Sequence, residues 1–288
     1  MINELTFKRG NKVGLIACSD GIKHEFSSRI GELINLLSSF GFEVVVADTL
    51  MRGFSFFSGS PVQRATELNK MFKNEEIRAI FDISGGDSAN QILPYLDYEY
   101  IRNNHKPFFG ISDLSVILNG LYARTQMVSF HYQIMNLISK HRDEQKKLFY
   151  NTFFDEGNEL FSFNYEWLRG AYMSGVVIGG NIRCFMKLSG TRFFPDPTNK
   201  IIFLESLGGR VNRIASLIAQ IQQTGCFDDC SGLILGSFTD LEFHNEFPIL
   251  EEYVKEVTSR SNVPIIRTSE LGHGDNCKGI KIGKRIKL

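Results

Sequence analysis

Residues 84–115, SGGDSANQILPYLDYEYIRNNHKPFFGISDLS, decide the fold. They hold two strand-to-helix turns, and strand ends are where an open α/β sheet presents its ligands. Just before them, Ile77-Arg78-Ala79-Ile80-Phe81-Asp82-Ile83 is an apolar run of strand length that stops at Ser84-Gly85-Gly86-Asp87. The glycine pair lets the N–H of Gly86 or Asp87 turn toward a ligand. Further on, Lys106-Pro107-Phe108-Phe109 reads as a second buried strand, Gly110-Ile111 permits a steep turn, and Ser112-Asp113 opens the apolar-periodic helix LSVILNGLYART. A serine so placed has its hydroxyl exposed beside a helix N-terminus, as an acyl-transfer nucleophile needs. Serine is equally a favoured N-cap, and G-x-S-x-L lacks the second glycine of the usual elbow, so the local string alone favours the cap. The GG turn has plain readings too, a tight turn or a phosphate loop.

On the N-terminal side, residues 12–17 (KVGLIA) form a strand, residues 27–41 a helix closed by Gly41, and residues 42–47 (FEVVVA) a second strand. Pro61 sits in the first turn of the next helix, which leads into the 77–83 strand. Strand, helix, strand with short connections predicts a parallel sheet with right-handed crossovers. Residues 127–130 are a further strand, ending at His131, and 139–163 read as an amphipathic helix and connection. The second half brings strand-like runs at 175–181, 200–205, 232–238 and 263–266. Its tail, KGIKIGKRIKL, alternates as an exposed hairpin would. The expected fold class is α/β: a doubly wound, mostly parallel N-terminal domain and a second, smaller, β-rich α/β C-terminal domain.

Bulk properties exclude several classes. A chain of 288 residues with 43% hydrophobic residues can bury a real core. Thirty-two basic residues balance thirty-two acidic ones, so no global field favours nucleic acid or an anionic membrane. No run approaches transmembrane length, and the short apolar run at 13–18 lacks the flanks of a signal peptide. Five scattered cysteines fit reduced thiols and a cytoplasmic location better than a disulfide framework. Cys226 and Cys230 are spaced as two metal ligands could be, but no second pair follows, and no metal or other cofactor is expected. His131, a lone histidine at a strand end, reads more readily as structural, and Trp167 as core packing at least as readily as substrate stacking.

The run from Gly85 through Asp113, with GG, then Leu93-Pro94-x-Leu96-Asp97, Lys106-Pro107 and G-x-S-D, resembles the LD-carboxypeptidase family of serine peptidases, which includes the microcin C immunity peptidases. Arg64, Ala65, Leu68 and Asn69 match a family segment, and so do the 175–181 string G-x-x-x-G-G-N and the Gly190-Thr191 pair. The resemblance spans nearly the whole chain. It implies a flavodoxin- or amidotransferase-like domain over 1–140 carrying the nucleophile, a connection at 141–168, and a domain at 169–288 carrying the rest of the triad.

A serine hydroxyl needs a base, and the base needs a third group to orient it. His273 lies between glycines in a loop after a strand, and Glu205 closes an apolar strand where an idle carboxylate would be out of place. The family's Ser, Glu, His order carries over onto Ser112, Glu205 and His273. The same carry-over makes the oxyanion hole from the N–H groups of Gly86 and Asp113. The implied substrate is a murein tetrapeptide losing its terminal D-alanine during peptidoglycan recycling, or, for immunity-type members, an aminoacyl- or peptidyl-nucleotide amide. A homodimer is implied as well. The chain departs from the family at Asp87, where an aromatic is common, at Tyr132-Gln133 in place of Gly-Pro, at Asn212 in place of an acid, and after Glu205, where no further acid follows. These departures bear on specificity more than on catalysis. A non-catalytic small-ligand-binding module remains the alternative of another class.

Overall fold

The computed structural model describes residues 6–53 and 55–288; the first five residues of the expected N-terminal domain lie outside this range. In chain order the first half contains β1 (Lys12–Ile16), α1 (Ser27–Ser39), β2 (Glu43–Val46), α2 (Pro61–Lys73), β3 (Ile77–Asp82), α3 (Tyr98–Asn103), β4 (Phe108–Gly110), α4 (Ser115–Thr125), β5 (Ser129–His131) and α5 (Arg142–Phe153). The second half follows with β6 (Glu166–Arg169), β7 (Ser174–Asn181), α6 (Ile182–Met186), β8 (Lys200–Ser206), α7 (Val211–Gln223), β9 (Gly232–Phe238), α8 (Thr239–Phe243), α9 (Phe247–Val257), β10 (Ile265–Arg267), β11 (Ile280–Ile282) and β12 (Arg285–Lys287).

Two six-stranded sheets result, ordered β11-β5-β4-β3-β1-β2 and β12-β7-β8-β9-β10-β6. In the first, β2, β1, β3, β4 and β5 run parallel and β11 alone is antiparallel. In the second, β7 to β10 are parallel and only the edge strands β12 and β6 are antiparallel. The fold is therefore a two-domain α/β arrangement with mostly parallel sheets. Strands covered on both faces need near-continuous apolar sequence, which is why β9, GLILGSF, is buried throughout.

On one face of the first sheet, Phe81, Phe109 and Phe130 stack across β3, β4 and β5 with ring centroids 4.8 and 4.5 Å apart. Phe149 and Phe153 of α5 close over them, so the amphipathic connection packs on the first sheet. The opposite face shares one apolar cluster with the second half, including Ile117, Leu118 and Leu121 of α4 with Val177, Phe203, Ile234 and Leu271. Polar contacts fix the register of this seam. Asn119 Nδ2 donates to the Gly179 carbonyl at 2.7 Å while its Oδ1 accepts the Gly179 N–H at 2.8 Å. Only glycine fits at 179, whose φ is +105° and where a Cβ would stand 2.1 Å from the Phe203 carbonyl oxygen.

The tail corrects the hairpin expectation. β11 pairs with β5 of the first sheet and β12 with β7 of the second, turning between them at Gly283, φ +86°. Ile280 and Ile282 are buried. Their alternation with Lys281 does mark a strand with one buried face, but that face is closed by the other half of the molecule.

Candidate active site

The parallel strands of both sheets end toward one seam, and the predicted site residues lie on the turns that follow them. β3 ends in Asp82, fully buried, whose carboxylate accepts the N–H of Cys18 at 2.8 Å and both the N–H and hydroxyl of Ser84 at 2.8 and 2.6 Å. Burial pushes the Asp82 carboxyl up, and those hydrogen bonds oppose the push. Arg64 lies beneath this corner with no exposure. Its guanidinium donates to the carbonyls of Cys18 and Ser19, to Ser88 and to the Gln91 side chain, which binds the loop after β1 to the GG turn. Burial lowers its pKa.

In the GG turn, the Gly85 carbonyl accepts the Asp20 N–H at 3.2 Å. A trans peptide holds its C=O and N–H on opposite sides, so this bond aims the Gly86 N–H away from the β1 loop. Gly86 has φ +128°, and a Cβ there would come 2.2 Å from the Asp20 carboxylate carbon.

The β4 turn is tighter. A Cβ at Gly110 would meet the Cβ of Leu114 at 2.7 Å, and Ser112 has φ +61°, a left-handed conformation that costs a non-glycine residue about 1 kcal/mol or more. An ordinary N-cap sits in the extended region. Ser112 is thus held in a strained strand-to-helix turn, partly exposed, with no side-chain cap bond at this helix start. The next residue, Asp113, is wholly buried and accepts from Ser19 Oγ at 2.6 Å, the Ala89 N–H at 2.8 Å and Lys187 Nζ at 2.6 Å.

Glu205, wholly buried at the end of β8, accepts from His273 Nδ1 at 2.5 Å. Burial would raise its pKa, but His273 and then His131 outweigh burial and hold it at about 2. His131 Nε2 approaches the other carboxylate oxygen to 3.8 Å, too far for a hydrogen bond, and its ring stands edge-on to Phe203. His131 is therefore a neighbour of the candidate site, a placement that a lone histidine in the sequence does not reveal.

The structure joins Glu205 and His273 directly. It brings the Ser112 turn to the same seam through the sheets: Gly110 aligns with His131 across β4 and β5, Asn181 aligns with Glu205 across β7 and β8, and the Asn181 N–H donates to Ser115 Oγ at 2.9 Å. No hydrogen bond joins Ser112 to His273, whose Nε2 is buried and without a partner among the described residues. Trp167 lies on β6, partly buried against the apolar cluster and edge-on to Tyr165. Cys226 Sγ lies 3.0 Å from Thr224 Oγ1. Arg183 and Lys187, which contact Asp87 and Asp113, escaped the reading of the sequence. Two cations four residues apart in the apolar segment IRCFMKL were the signal.

Residues 13–132 match the family model for the LD-carboxypeptidase N-terminal domain, and residues 174–288 match that for the C-terminal domain. The chain is thus a peptidase of two-domain α/β build. It belongs to the LD-carboxypeptidase family. It is 24% identical over 294 residues to the probable murein peptide carboxypeptidase of Bacillus subtilis, covering 97% of this chain and 89% of that protein. It is 25% identical over 248 residues to the murein tetrapeptide carboxypeptidase of Pseudomonas aeruginosa, covering 82% and 80%. Its fold is similar to the solved structure of the microcin C7 self-immunity protein MccF in complex with aspartyl sulfamoyl adenosine, with TM-score 0.86 and 22% identity over 99% of this chain and 95% of that one.

Proposed function

We propose that the protein is a serine-type carboxypeptidase that hydrolyses an L,D-peptide bond, releasing the terminal D-alanine of a murein tetrapeptide. The observation that carries this reading is the buried Glu205–His273 hydrogen bond of 2.5 Å at the seam reached by the strained Ser112 turn. Glu205 fixes the His273 ring and stabilises its cation, leaving Nε2 to take a proton. Ser112 Oγ attacks the carbonyl carbon, its proton passes to His273 Nε2, and the oxyanion is met by the N–H groups of Gly86 and Asp113. The C–N bond then breaks as His273 returns the proton to the amine of D-alanine, and water attacks the acyl-enzyme by the same base. The murein peptide named in the relatives supports the substrate. The sulfamoyl nucleotide bound by MccF supports a second arm, cleavage of an aminoacyl-nucleotide amide.

With this reading go a cytoplasmic place in peptidoglycan recycling and a homodimer, the latter checked by sedimentation. The deciding experiment incubates wild type and Ser112→Ala with murein tetrapeptide and with an aminoacyl-sulfamoyl nucleotide and follows products by mass spectrometry. Wild type releases D-alanine and Ser112→Ala is slower by several powers of ten. A Ser112→Ala protein as active as wild type would refute the nucleophile. Binding without cleavage by either protein would favour a ligand-binding module.

A further inference from the structure

Arg183 of α6 and Lys187, the residue just after it, reach across the seam to the two turns that frame the proposed oxyanion hole. Lys187 Nζ donates to Asp113 Oδ1 at 2.6 Å, to Asp87 Oδ1 at 3.0 Å and to the Asp87 carbonyl at 3.1 Å. Arg183 donates to the Gly86 carbonyl at 3.3 Å and forms an ion pair with the Asp87 carboxylate. One ammonium from the second half thus touches both turns of the first, and a guanidinium one helical turn away holds the peptide between Gly86 and Asp87. Lys187 is largely buried, its side chain 19% exposed. Its removal would leave Asp113 as a buried carboxylate facing its remaining donors, Ser19 Oγ and the Ala89 N–H.

We propose that Lys187, assisted by Arg183, is a positioning residue for the oxyanion hole. It acts through Asp113 and the GG turn, so that docking of the second half sets the hole in the first. The inference rests on the serine-hydrolase reading and on the assignment of Gly86 and Asp113 as donors. Two effects follow from the geometry. Without Lys187 the two donor turns lose their shared cation and keep only the Ala89 N–H to Asp113 bond between them, and a misplacement of order 1 Å at a reacting centre costs up to about 10²-fold in rate. The Asp113 carboxylate would also stand uncompensated next to the developing oxyanion, opposing the charge that the hole exists to stabilise. The four groups of the network, Asp87, Asp113, Arg183 and Lys187, are formally neutral together, so the pair is not read as a subsite for the substrate's own carboxylate.

A fluorophosphonate probe tests this separately from substrate choice. Ser112 Oγ forms a bond to phosphorus, the P–F bond breaks, fluoride leaves, and the hydroxyl proton passes to His273. The phosphoryl oxygen occupies the hole. Lys187→Met is expected to slow labelling roughly 10- to 100-fold and to lower kcat on murein tetrapeptide by a similar factor with KM within about twofold. Lys187→Arg is expected to recover most of the loss. Arg183→Gln, at a side chain one-third exposed, leaves the buried Asp113 pair intact and is expected to slow labelling about threefold to tenfold, which preserves the test if Lys187→Met folds poorly. Wild-type rates in both Lys187→Met and Arg183→Gln would overturn the inference. So would a rise in KM at unchanged kcat, which would make these residues substrate contacts. If Ser112→Ala labels as fast as wild type, the serine-hydrolase reading fails and takes the inference with it. If Ser112→Ala is silent while both cation variants label normally, only the inference fails.

Discussion

Replacing Glu205 with glutamine separates the proposed catalytic role of this buried carboxylate from its part in stability. The side chain keeps its shape but loses its charge, and its amide can donate to His273 Nδ1, favouring the wrong tautomer. By analogy with triads in which the orienting acid is made an amide, kcat should fall by about 10³- to 10⁴-fold. The second role is in stability. The folded pKa of Glu205 is held at about 2 against an ordinary 4.5, because His273 and His131 outweigh burial. That depression corresponds to roughly 3 kcal/mol. The sign follows from the depressed value: this stabilisation is present above pH 4.5 and is lost as pH falls from 4.5 toward 2. Urea unfolding of wild type and Glu205→Gln should therefore give stabilities that converge by about 3 kcal/mol between pH 4.5 and pH 2, other carboxylates cancelling in the difference. A stability difference that stays flat across that window would refute the claim that the two histidines hold Glu205 ionised.

Gly86→Ala places a Cβ against the Asp20 carboxylate at a φ of +128°. Steady-state assays should show a fall of about 10²-fold in kcat as the GG turn shifts, whereas unchanged turnover would remove Gly86 from the hole. Ile282→Ala empties a fully buried position on β11 and should cost about 2 to 5 kcal/mol in urea unfolding; a loss under about 0.5 kcal/mol would fit the exposed hairpin instead.

The strands of both sheets are legible because a parallel sheet covered by helices needs uninterrupted apolar runs, and KVGLIA, IRAIFD and GLILGSF supply them. The strand-to-helix turn at Gly110 is legible for a local reason, glycine between an apolar strand and an apolar helix, but the string favoured an N-cap at Ser112 and gave no sign of its left-handed backbone. What escaped was long-range pairing. The tail alternates apolar and basic residues, which says that one face is buried but not against what, so β11 looked like half of a hairpin. Arg64 matched a family segment, yet its type gave no hint that it would be buried among carbonyls. Arg183 and Lys187 drew no reading because their carboxylate partners are 74 to 100 residues away.

The tail strand also bears on the chemistry. β10 belongs to the second sheet and β11 to the first, so His273 rides on the connection that crosses between them. On the C-terminal side of His273 that connection is tied to the first half: the Gly274 carbonyl accepts from Asn136 Nδ2 at 3.3 Å and the Cys277 carbonyl from Gln145 Nε2 at 3.2 Å. The ring of His273 is tied to the second half through Glu205. Its place is thus set by both halves at once, just as Lys187 would set the oxyanion turns from the opposite side. If the proposed triad holds, a nucleophile on the first half, its orienting acid on the second and its base on the crossover cannot be aligned by either half alone. Loosening β11 should therefore lower turnover at temperatures well below those at which the sheets themselves unfold.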